Sequence, residues 1–169
     1  MKSLYKMYDK LLGYLTKGAA MLAGLGVVVT AFIIFYEVIA RGFFHAPTEW
    51  VMEYATYLLI FSGFLGMAYT MRVGGHIRVD FLFEKFPRGI RRALDIFTSL
   101  LSVFLMYVCT TESWNYMEMS REMGIVSPST LRFPMWIPQL FMVIGFTLLW
   151  LEVIDHLLED FFNFEKEGD

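Results

Sequence analysis

The sequence predicts an all-α integral membrane protein with four transmembrane helices, and three observations predict it. Four long stretches carry no charged residue: Gly18 to Tyr36, Tyr54 to Met71, Ile96 to Thr111 and Phe133 to Leu151. The composition is 57% hydrophobic and 18% aromatic, with a mean hydropathy of +0.52. Lysine and arginine collect in alternate connections between the apolar stretches. A bilayer core is about 30 Å thick, and a helix needs roughly 17–25 apolar residues to cross it. Three of the stretches meet that length, and the third in order spans if Asp95 and Glu112 sit at the interfaces. The expected spans are about 18–40, 50–71, 93–114 and 134–152.

Charge placement sets the orientation. Lys2, Lys6, Lys10 and Lys17 precede the first span, and Arg41 alone follows it. Arg72, Arg78, Lys85, Arg88, Arg91 and Arg92 lie between the second and third, Arg121 and Arg132 between the third and fourth, and Lys166 in the tail. With both termini in the cytoplasm the split is eleven inside against three outside, as the positive-inside rule requires. The short connections imply one membrane domain over residues 1–169. The net charge of −3 comes mostly from an acidic segment, 153–169, expected to be a solvated cytoplasmic tail. No basic surface points to nucleic acid. Cys109 lies within the third span and has no second cysteine to pair with. The first apolar run lacks a small-residue cleavage pattern and is expected to be retained as a span.

The opening segment, 1–17, places Leu4, Tyr8, Leu11, Leu12 and Leu15 on one face with Lys6, Asp9, Lys10 and Lys17 elsewhere. That pattern predicts an amphipathic helix lying in the interface, or else a cytoplasmic extension of the first span. In the first two spans, Ala20 with Gly24 and Ser62 with Gly66 form small-xxx-small pairs, the means by which helices approach closely where lipid supplies no hydrophobic drive. Thr48 is the expected N-cap of the second span, with Glu49 suited to the positive helix end. Pro134 and Pro138 fit the first turns of the fourth, where a missing backbone donor matters least. Trp50, Trp114, Trp136 and Trp150 fall near span ends and read as an aromatic belt.

Ionisable groups within a membrane are costly and usually functional, yet the middle of every span lacks them. Glu37 and Arg41, four apart, can pair at the outer end of the first span, and Glu53 is expected within reach of Arg41. That cluster reads as a dock between the first two helices. His45, His76 and His156 fall in three separate places, and His76 with Asp80 supplies two potential ligands with no evident third, so neither a metal site nor a haem is expected. No nucleophile–base arrangement or phosphate loop is present, and the chain is not expected to be an enzyme. The stretch "MRVGGHIRVDF" is expected to turn at Gly74 and Gly75, with Arg72 and Arg78 near cytoplasmic headgroups. His76 and Asp80 then brace a surface helix or bind a neighbouring chain.

The residues from Glu37 to Phe81, "EVIARGFFHAPTEWVMEYATYLLIFSGFLGMAYTMRVGGHIRVDF", resemble the small membrane subunit (Q subunit, DctQ-like) of tripartite ATP-independent periplasmic (TRAP) transporters. Arg41 ends the first span, Trp50 is followed by Glu53, and a small-residue span runs into "HIRVD". Ser127 to Phe146, "SPSTLRFPMWIPQLFMVIGF", adds to the likeness. The resemblance implies a separate Q subunit in the bacterial inner membrane, acting as a scaffold without cofactor. It also implies a large M-type partner that holds the substrate and sodium sites, a periplasmic binding protein, and lipids at the subunit interface. The implied cargo is a carboxylate-bearing solute such as a C4-dicarboxylate or sialic acid. Two other readings stay open on the residues: a stand-alone four-helix transporter or channel, and a membrane anchor of a redox complex. The outer connection, Asn115 to Phe133, mixes Arg121, Glu122 and Arg132 with methionines and is a candidate surface for docking the binding protein.

Overall fold

The computed structural model describes residues 2–74 and 88–167. Four helices run through them: α1 (Lys2–Phe44), α2 (Trp50–Arg72), α3 (Arg88–Glu122) and α4 (Trp136–Glu167). Each contains a segment long and apolar enough to cross a membrane. Among the described residues the only β-pairing is an isolated bridge, Val126 to Pro134.

The helices stand in a row and not in a closed bundle. α1 packs along α2, α2 along α4, and α4 along α3, while α1 and α4 meet over a short stretch. One cause is visible in α1. Among its residues of described burial, the buried positions are Leu12, Thr16, Ala19, Ala23, Gly26, Thr30, Glu37 and Ala40, in steps of three, four or seven along one stripe. A stripe of that period keeps one seam against a single neighbour, as in left-handed helix pairs. α2 answers with Val51, Ala55, Ser62, Leu65 and Ala68.

Small residues set how close the helices come. A methyl group on Gly26 would collide with the Ser62 hydroxyl, and one on Gly145 of α4 would stand 2.5 Å from the Phe64 carbonyl oxygen. The second contact is with backbone, which cannot swing aside. Ser62 and Gly66 therefore face α1 within this chain, and a methyl on Gly66 would stand 3.8 Å from that of Ala23. The Ala20–Gly24 pair does not: Gly24 faces open space, and the packed face is that of Ala19, Ala23 and Gly26. Phe61 with Phe141 and Phe64 with Phe146 fill the α2–α4 seam edge to face, centroids 4.8 and 5.2 Å apart.

Several expected boundaries move. α1 is unbroken for 43 residues, about 65 Å, so the opening segment extends the first span with no turn onto the surface. α3 continues through Glu122, placing Arg121 and Glu122 in its last turn and not in a loop. α4 runs to Glu167 and carries Glu152 and Asp155 buried, so the start of the acidic segment is packed, not solvated. Pro138 lies in the first turn of α4, whereas Pro134 precedes the helix in the isolated bridge. Trp150 does more than line an interface: its Nε1 donates to the Val103 carbonyl of α3 at 3.1 Å, and its ring rests 5.6 Å from that of Tyr107.

Candidate functional site

Polar contacts gather at the two ends of the row, and the apolar middle separates them. The end that carries the start of α1 is called inner here, and the opposite end outer.

At the outer end, Glu37 is the acceptor of a small cluster. Arg41 donates to its Oε1 from Nη2 at 2.6 Å and from Nε at 3.1 Å. The Thr48 amide donates to Oε2 at 3.2 Å, and the Thr48 hydroxyl donates to the same oxygen. Thr48 therefore does not cap α2. The cap position is Glu49, with no side-chain cap bond, and the threonine hydroxyl is committed to α1. Glu37 is 6% exposed, but the Arg41 side chain is 61% exposed, so the arginine covers the carboxylate from the solvent side. The first connection is thereby tied back to α1.

Glu53 faces elsewhere than the sequence suggests. It accepts from Tyr57 at 2.7 Å and from the Ser129 hydroxyl, and it makes no bond to Arg41. Ser129 pairs with Ser127 at 2.8 Å, and Ser127 accepts from the Phe133 amide at 3.0 Å. Thr130 donates to Glu49 at 2.6 Å. The Ser127 amide meets the Phe133 carbonyl, and the Met135 amide meets Ile125, so this connection is a folded loop seated on the start of α2. Ring contacts run in series from Tyr36 through Trp50 and Tyr54 to Phe133, with Tyr57 stacked on Phe133 at 4.9 Å. Trp50, at the start of α2, thus sets its ring against Tyr36 of α1. Arg132, in the left-handed region at φ 44°, projects exposed from the loop, and Arg121 and Glu122 are also exposed.

At the inner end Arg72 joins three helices. Nη1 donates to Glu152 of α4 at 2.8 Å and stands 3.9 Å from Asp155. Nη2 donates to the Asp9 carbonyl of α1 at 2.9 Å and pairs with its carboxylate. Gly13 makes room, since a methyl there would stand 3.1 Å from the guanidinium. Tyr8 donates to the Leu151 carbonyl at 3.0 Å. Arg72, expected among lipid headgroups, is the central donor of this joint, because three carboxylates on two neighbouring helices surround it. Asp9, Glu152 and Asp155 escaped the sequence reading. Their signal was available: an arginine at the inner end of one span, with acids at matching depth on two others. His76, Arg78 and Asp80 lie outside the described residues.

Chemically, both clusters can hold helices in register. Among the described residues, no three ligating side chains form a position for a metal ion.

The family model described as "Tripartite ATP-independent periplasmic transporters, DctQ component" matches residues 30–163. The chain is 31% identical over 144 residues to the ectoine TRAP transporter small permease protein TeaB of Halomonas elongata, covering 83% of this chain and 72% of TeaB. It is also 30% identical over 96 residues to the sialic acid TRAP transporter permease protein SiaT of Haemophilus influenzae, covering 57% of this chain and only 15% of SiaT.

Proposed function

The chain belongs to the DctQ component family of TRAP transporters, as a multi-pass small permease subunit and not an enzyme, and from that premise we propose that it is a non-transporting scaffold. In this reading it holds a large M-type membrane subunit in place within the inner membrane. The observation that carries the proposal is the distribution of polarity: ionisable side chains tie the helices together at the two ends, and the span centres contain none. A solute pathway needs polar groups at mid-depth, commonly where a helix is broken. All four helices here run unbroken through their apolar segments.

The partner subunit would hold the solute and the sodium ions, with this chain contributing no cofactor. In this reading both termini lie in the cytoplasm, which the charge asymmetry of the connections supports. The relatives' names mention ectoine and sialic acid, both carboxylate-bearing solutes. An organic acid of that kind, C4-dicarboxylates included, is the proposed cargo. A periplasmic binding protein would deliver it. The folded outer loop, with Arg132 and the neighbouring Arg121 and Glu122, offers that protein charged contacts on a fixed backbone.

Affinity capture of the tagged chain from native membranes tests the assignment. A stoichiometric large multi-span protein is expected in the eluate. Capture of a haem protein, or of this chain alone, would contradict it.

A further inference from the structure

We infer that the face of α1 turned away from α2 binds an anionic phospholipid of the inner-end leaflet. The face is read from α1 itself. Lys10, Tyr14, Lys17, Met21, Gly24 and Val28 follow one another at steps of three and four, which places them on one side of a helix. All six are exposed, and they lie opposite the buried stripe of Leu12, Thr16, Ala19 and Ala23.

Depth is fixed by two contacts. Gly13 of α1 lies beside the Arg72 guanidinium at the inner end of α2, and Tyr36 meets Trp50 at the outer end, centroids 6.0 Å apart. The α1 segment between them rises about 35 Å, close to the thickness of a bilayer core. Lys10 and Tyr14 therefore stand at headgroup level. Lys17 starts about one turn deeper, where a lysine stem lies along the chain region and its ammonium reaches back to the phosphates. Met21, Gly24 and Val28 continue into the acyl region.

The chemistry matches one occupant. Among the described residues neither lysine makes an ion pair, and the neighbouring Asp9 is taken by Arg72. Two uncommitted ammoniums, with the hydroxyl of Tyr14 (77% exposed) between them, suit a phosphodiester that carries net negative charge. Below them Gly24 has open space where a side chain would be, a notch in which an acyl chain can lie between Met21 and Val28. A protein partner on this face would instead need carboxylates at headgroup depth to meet the lysines.

The inference uses the membrane placement proposed above, but its readout is separate from subunit capture. The complex captured from membranes is exchanged into micelles, titrated with phosphatidylglycerol or phosphatidylcholine, and its lipid adducts are counted by native mass spectrometry. A lysine near an anionic surface contributes about fivefold to binding, so Lys10→Gln with Lys17→Gln should weaken phosphatidylglycerol retention roughly 30-fold. Phosphatidylcholine retention, and the yield of any co-purifying large subunit, should not change. Equal phosphatidylglycerol retention by the double variant would overturn the inference. So would a double variant that loses the large subunit while keeping its lipid, because the face would then belong to a protein contact. If no large subunit co-purifies with the unaltered chain, the scaffold reading fails, and the lipid comparison is still decided on the chain itself.

Discussion

Arg72→Gln removes the cation shared by α1, α2 and α4 while leaving the helix ends able to approach. Glu152 is then a carboxylate in a 4% exposed side chain that has lost its 2.8 Å partner, and Asp155 loses a guanidinium 3.9 Å away. Breaking a buried ion pair from one side costs about 3–5 kcal/mol, because the other charge is left desolvated. The Arg72 side chain is 23% exposed and that of Asp9 41%, so water screens part of the loss. A cost of about 2–4 kcal/mol follows, a shift of roughly 30- to 700-fold in the folded-to-unfolded ratio. Reversible unfolding of the purified chain in mixed micelles, followed by tryptophan fluorescence, measures it. Adding Glu152→Gln to Arg72→Gln should recover part of the loss, since the orphaned charge is gone, and the double-mutant cycle isolates that coupling. If Arg72→Gln unfolds like the unaltered chain, or the second substitution makes matters worse by its full single-site cost, the three-helix joint does not hold the inner end together.

The two tight glycines should behave differently from the open one. Gly145→Ala meets the Phe64 backbone and should cost about 1–3 kcal/mol as overpacking, while Gly26→Ala meets a movable hydroxyl and should cost less. Gly24→Ala should be neutral in the same unfolding assay. At the outer end, Glu37→Ala should destabilise more than Arg41→Ala, because the carboxylate serves both Arg41 and Thr48 whereas the arginine is largely exposed. The reverse order in melting temperature would argue that the arginine holds a partner not described above. Charge reversal at Arg121 and Glu122 together should slow uptake at limiting binding protein and leave assembly with the large subunit intact; an unchanged dependence on binding-protein concentration would remove this surface from docking.

The spans were legible because uncharged runs bounded by Glu37, Glu53 with Arg72, Asp95 with Glu112, and Arg132 with Glu152 mark membrane depth directly. The order of the helices was not. Lipid is as apolar as a neighbouring helix, so hydrophobicity does not say which face of α1 packs, and the stripe of Ala19, Ala23 and Gly26 looks much like that of Ala20 and Gly24. Long-range polar pairs were hidden for a different reason. Arg72 finds Asp9 and Glu152 across separations of 63 and 80 residues, and neither acid, one in an amphipathic opening segment and the other at the last residue of a span, points to the arginine from its own surroundings. Glu37 with Arg41 is a one-turn pair and was readable. Thr48 misled because a threonine before a helix usually caps it, whereas here the same hydroxyl does more by satisfying a carboxylate on the preceding helix.

The central claim is that this chain supports transport without conducting it. Sodium-driven solute uptake into proteoliposomes, compared between the chain alone and the chain with its large subunit and binding protein, tests that claim most directly. Uptake is expected from the full set, and from the chain alone none above that of protein-free liposomes. Solute accumulation driven by the chain alone would contradict it.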